Sequence, residues 1–90
     1  MITSHERSDI IHIMKTNQLA LIDSDSANLS FAGEIKGKDY QINVLVVEDA
    51  PQLFIKENGA TVFSDTLRSI DDLKIFLEER LYKYFDGFDG

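Results

Sequence analysis

Apolar residues recur along this chain with two different periods, and the switches between them divide it into elements. Ile10, Ile11, Ile13 and Met14 repeat at helical spacing. Ahead of them Thr3-Ser4-His5-Glu6 fits a capping box, in which a hydroxyl and a carboxylate each satisfy the other residue's backbone amide. The pattern predicts a helix over residues 4–16. Asn17-Gln18 interrupts it, and the short apolar run 19–22 reads as a strand.

Asp23-Ser24-Asp25-Ser26 is turn chemistry, because short oxygen-bearing side chains bond to nearby backbone amides. Period two follows. Leu29, Phe31, Gly33 and Ile35 alternate with other residues, and after Gly37-Lys38 the alternation resumes as Tyr40, Ile42, Val44 and Val46. Glu48-Asp49-Ala50-Pro51 ends that strand, since proline lacks the ladder donor, and the next strand is expected over 52–57. Asn58-Gly59 is a type I′ hairpin signal, which requires positive φ at both positions. A returning strand over 60–64 must pair alongside. Counting outward from a two-residue loop sets Ile55 opposite Val62 and Phe54 opposite Phe63, on opposite faces.

Ser69 caps a final helix, in which Ile70, Leu73, Phe76, Leu77, Leu81 and Tyr84 form a continuous apolar stripe over 70–85. Asp71 and Asp72 suit its positive dipole end, and Glu79 and Lys83 are an i,i+4 pair. The predicted fold is α+β in a single domain, 1–90: an N-terminal helix, an antiparallel meander of four to five strands, and a C-terminal helix packed on the sheet. That helix covers one face. The face carrying Phe54 and Phe63 is left for the first helix, a second subunit or a partner.

Composition narrows the chemistry. Ninety residues, 43% of them apolar with six Phe and three Tyr, suffice for one core but leave little room for a deep pocket. Cysteine is absent, which removes disulfides, thiolate nucleophiles and sulfur-ligated zinc. The chain lacks a bilayer-length apolar stretch and does not open on a basic segment followed by an apolar one, so a cytoplasmic location is expected.

No motif carries catalysis. There is no GxSxG, P-loop or dinucleotide fingerprint, so no enzyme and no cofactor are expected. His5-Glu6-Arg7-Ser8-Asp9 approaches the HExxH zinc pattern, with His12 one turn on, but His5 and His12 lie about 10 Å apart along a helix, too far for one ion. Asp23, Asp25 and Glu34 fall at three positions of a calcium-loop pattern that Ala27 and Asn28 break. No metal site is expected.

Net charge is −7, from sixteen acidic and nine basic residues. That argues against direct binding to a phosphate backbone, which needs clustered Lys and Arg. Placed on an up-and-down meander, Asp23, Asp25, Glu48, Asp49, Asp65, Asp71 and Asp72 fall at one end, with Arg68 as the nearby base. Lys36, Lys38 and Lys56 fall at the other end, beside Asp39 and Glu57. Turns and helix starts favour Asp for local reasons. The functional alternative is an anionic surface aimed at a basic groove, imitating the phosphates which that groove holds. In size, acidity, lack of cysteine and compact layout the chain resembles the small phage and mobile-element proteins that inhibit host defence, such as anti-CRISPR and anti-restriction proteins. This resemblance implies a non-enzymatic inhibitor, a nucleic-acid mimic acting on a protein with a basic surface, and assigns no residue a role. The alternative is a small homodimeric interaction or regulatory subunit, using an interface at Phe54 and Phe63; a metal-dependent enzyme is the third reading.

Overall fold

The computed structural model describes residues 2–47 and 50–85. Helix α1 spans Ser4–Thr16 and is followed by strands β1 (Ala20–Ser24), β2 (Asn28–Ile35), β3 (Lys38–Val47), β4 (Ala50–Glu57) and β5 (Ala60–Thr66), then by helix α2 (Ile70–Glu79) and a 3₁₀ turn, Leu81–Tyr84. The strands form one five-stranded antiparallel meander in sequence order. This is the α+β order expected from the periodicities.

Local chemistry explains the boundaries. Thr3 Oγ1 accepts from the Glu6 amide at 3.1 Å while Glu6 Oε1 accepts from the Thr3 amide at 3.0 Å, completing the capping box. At the other end of α1 the Leu19 amide reaches the Met14 carbonyl and the Gln18 amide reaches that of Lys15, a Schellman closure. Closure puts Gln18 at φ 67, a left-handed position usually held by glycine. It also drops Leu19 into the core, so β1 starts one residue later than the apolar run.

Pro51 lies inside β4 rather than before it, paired with Val46. Its carbonyl accepts from the Leu67 amide at 2.8 Å, so its hydrogen-bonding side faces β5. The missing N–H therefore leaves the β3 ladder intact, near the start of the strand where proline is tolerated.

Both helices pack on one face of the sheet. Ile10 and Met14 of α1 and Leu73 and Leu77 of α2 are buried against Leu29, Phe31, Ile42, Val44, Leu53 and Ile55. The first helix thus joins the second instead of covering the other face, and the two contact each other. On the open face Ser30, Asn43, Phe54 and Ser64 lie side by side across four strands. Asn28, Gln41, Gln52 and Lys56 surround them, so this face is largely polar and suited to water.

The β4–β5 register corrects the expected pairing. A bulge between Ile55 and Lys56 sets Ile55 opposite Phe63 and Phe54 opposite Ser64, and leaves Val62 as the extra residue. One inserted residue turns Phe63 over. Its ring stacks on Phe76 at 5.1 Å and lies tilted 5.3 Å from Tyr84 on the helix side, so Phe54 and Phe63 do not share a face.

Helix α2 is shorter than its stripe suggests. Arg80 leaves helical geometry at φ −124, and the tighter turn that follows buries Leu81 and lays Phe85 edge-on against Tyr40 at 4.7 Å. Docking these aromatics replaces the last regular turn, and the i,i+4 spacing assumed for Glu79 and Lys83 ends with it.

Asn58 and Gly59 have φ of 50° and 88°, the expected primed turn. The Asn58 side chain also accepts from the Asp39 amide at 3.0 Å, tying the hairpin to β3. Gly59→Val should lower stability by more than about 1 kcal/mol, because a β-branched residue resists positive φ. An unchanged urea midpoint would refute that role for the turn.

Candidate functional site

Strand alternation brings the C-terminal ends of β1 and β5 and the N-termini of both helices to one end of the molecule. Three backbone hydrogen bonds tie that end together: Ile2 to Ser26 at 3.4 Å, Val46 to Ala27 at 2.8 Å and Leu67 to Pro51 at 2.8 Å. Here lie Asp23, Asp25, Asp65, Asp71 and Asp72, all exposed. Glu48 and Asp49, expected beside them, lie outside the described residues.

The five described carboxylates belong to two groups. Asp71 and Asp72 occupy the first turn of α2, where Ser69 Oγ caps the Asp72 amide at 3.1 Å and the helix dipole favours negative charge. Their presence needs no further explanation. Asp23, Asp25 and Asp65 each accept a backbone amide close in sequence: Ser24 at 2.9 Å, Ala27 at 2.9 Å and Thr66 at 2.8 Å. Asparagine would accept the same bonds without charge. The charge on these three residues therefore exceeds what these local bonds require.

The expected acids also spread more widely than a single patch. Asp23 sits on edge strand β1 and Asp65 on edge strand β5, separated by four strand spacings, or about 19 Å.

Arg68 is not the only base at this end. Arg7 forks onto the Ser24 hydroxyl and, at 3.0 Å, onto the Asp25 carbonyl. Lys74 reaches Asp9 at 3.1 Å and Asp71 at 3.9 Å, while Arg68 lies 4.0 Å from Asp72. All three cations are engaged within the protein. Asp23, Asp25 and Asp65 make no ion pair among the described residues, so their field projects outward.

The cross-helix pair of Asp9 and Lys74 ties α1 to α2. The hydrogen bond from Lys74 holds the Asp9 carboxyl below its ordinary 3.8, and the same bond holds Lys74 above its ordinary 10.5. A lowered carboxylate stabilises the fold above the unfolded value and loses that contribution as pH falls through the folded value. A raised ammonium contributes below 10.5 and loses its contribution as pH climbs through the folded value. Asp9→Asn should therefore flatten the acid limb of stability below about pH 4. Denaturant midpoints measured from pH 2 to pH 7 would check this, and an acid limb identical to wild type would contradict it.

The metal-like sequence patterns disperse. Asp9 already holds the Lys74 ammonium, with His5 3.5 Å away, and Glu34 lies opposite Asp39 at the far end of β2 from Asp23. Among the described residues no three His, Asp or Glu side chains converge to hold an ion, and no helix is long and apolar enough to cross a membrane.

Sequence reasoning missed a second surface. Groove-lining Thr66, Leu67, Arg68, Ile75 and Arg80 lie between the end of β5 and α2, enclosing about 420 Å³.

The chain matches no family model, and no curated protein or solved structure is significantly similar to it.

Proposed function

We propose that this chain is a non-enzymatic binding protein. It presents its acidic end to a basic surface of a larger protein and blocks the nucleic acid that surface normally holds. The observation that carries the reading is the exposed charge of Asp23, Asp25 and Asp65, which their local backbone bonds do not need and which makes no ion pair among the described residues. A basic groove built for phosphates would attract such a surface over about a Debye length, 8–10 Å at physiological salt. In composition the chain resembles small inhibitors of host defence, and the net charge of −7 makes the same chain a poor ligand for nucleic acid itself.

Competition tests the reading. Immobilised protein should capture a nucleic-acid-binding protein from a host lysate, and a duplex oligonucleotide should displace it. Capture that resists excess oligonucleotide would place the contact away from a phosphate site and defeat the blocking mechanism.

The homodimeric alternative loses its aromatic pair, since the bulge puts Phe63 under α2 while Phe54 stays on the open face.

A further inference from the structure

We infer that both edges of the sheet are sealed against strand addition by one device used twice: a bulge, followed by an aspartate whose side chain takes up the next outward amide. The seal works through a carboxyl oxygen rather than through charge, so it does not rest on the binding role proposed above.

Alternation of the ladders locates the outward amides. On β1 the Asp25 amide donates to the Asn28 carbonyl at 2.9 Å, so Asp23 also turns its amide toward β2 and Ser24 turns its own outward. On β5 the Leu67 amide donates to the Pro51 carbonyl, so Asp65 and Phe63 face β4 while Thr66 and Ser64 face outward. Both strands are edges of the meander. An incoming strand needs outward amides at every second residue, and neither edge supplies the series.

The β1 register slips between Leu21 and Asp23, so Leu21 and Ile22 share the place of one residue. The next outward amide, that of Ser24, already donates to Asp23 Oδ1 at 2.9 Å. On β5 Thr61 and Val62 share a place in the same way, and the Thr66 amide already donates to Asp65 Oδ1 at 2.8 Å. Between that bulge and that aspartate only Ser64 is left. These are the edges that need closing. Leu21, Ile22 and Val62 are 37%, 57% and 46% exposed, and the runs 19–22 and 60–64 carry no charge. Uncharged, β-forming runs at a sheet edge are where chains join and aggregate. Here each run is followed at once by its aspartate.

Reopening one edge tests the inference. Deleting Val62 restores a regular register, Lys56 with Thr61 and Ile55 with Phe63, and Asp65→Ala frees the Thr66 amide. The combined variant then turns Thr61, Ser64 and Thr66 outward in unbroken series. At equal concentration it should sediment as larger species than wild type while keeping the circular dichroism of the fold. The same deletion with Asp65→Asn, which retains an acceptor oxygen, should associate less. Should the deletion fail to fold, hydrogen exchange on point variants decides. In wild type the Ser24 and Thr66 amides should exchange several-fold more slowly than the outward Ser64 amide, after correction for sequence-dependent rates. Asp23→Ala and Asp65→Ala should abolish that difference, and the asparagine variants should keep it. A folded combined variant that sediments like wild type, exchange at Ser24 and Thr66 as fast as at Ser64, or edge amides of wild type that gain protection on concentration would overturn the inference.

Discussion

Leu77→Ala should remove about 2–5 kcal/mol of folding free energy and lower the urea midpoint accordingly. Leu77 is 1% exposed near the middle of the apolar stripe of α2, packed in the common core of both helices and the sheet. Truncation there deletes buried methyls and leaves a cavity that strand neighbours fixed by their ladders cannot readily close. A domain of this size holds roughly 5–13 kcal/mol in total, so the loss is a large share of its stability. Ile75, on the same helix but 50% exposed, is the control. Its alanine variant should cost well under half as much, because only part of its surface leaves water on folding. Equal midpoints for wild type and Leu77→Ala would contradict the core assignment.

Gly33→Ala should cost about 1–3 kcal/mol, for a steric reason. A Cβ at Gly33 would stand 2.4 Å from the Gln18 carbonyl oxygen and 3.1 Å from Leu19 Cδ2. The carbonyl belongs to the turn that closes α1 and cannot swing aside without breaking the Schellman bonds. Gly37, at φ 81, has open space around it and would suffer only the backbone penalty of about 1–2 kcal/mol. Thermal or denaturant unfolding of both variants separates the two causes. A Gly33→Ala protein as stable as wild type would mean that the α1–β1 turn does not lie against β2.

These two residues mark what the chain states openly and what it does not. The stripe containing Leu77, the capping box at Thr3 and the Asn58-Gly59 turn are local signals; the last two produced the expected elements, and the stripe produced its helix, which ends at Glu79 rather than at residue 85. Gly33 read only as a member of an alternating strand, because its neighbour, the Gln18 carbonyl, comes from a turn fifteen residues earlier whose path depends on packing. The β4–β5 bulge was illegible for a similar reason: Thr61, Val62 and Phe63 all suit a strand, and nothing in their order announces an extra residue. Placement of α1 had a visible clue in the polar residues Gln41 and Asn43, which alternate with the buried ones and leave the second face fit for solvent. The gathering of Asp23, Asp25, Asp65, Asp71 and Asp72 followed from strand alternation alone. Arg7 and Lys74 did not, because they reach that end from helices whose positions only the packed core defines.

The outward field of the acidic end is most directly tested by the triple variant Asp23→Asn, Asp25→Asn and Asp65→Asn. Each asparagine Oδ1 can keep its local backbone hydrogen bond, so stability should stay within about 0.5 kcal/mol of wild type. The measurement is the association rate with the basic protein captured by wild type, at low and high salt. Wild type should associate fast and slow steeply as salt rises, whereas the triple variant should associate more slowly with a flatter dependence. Identical rates and identical salt dependence would contradict a binding role for this surface.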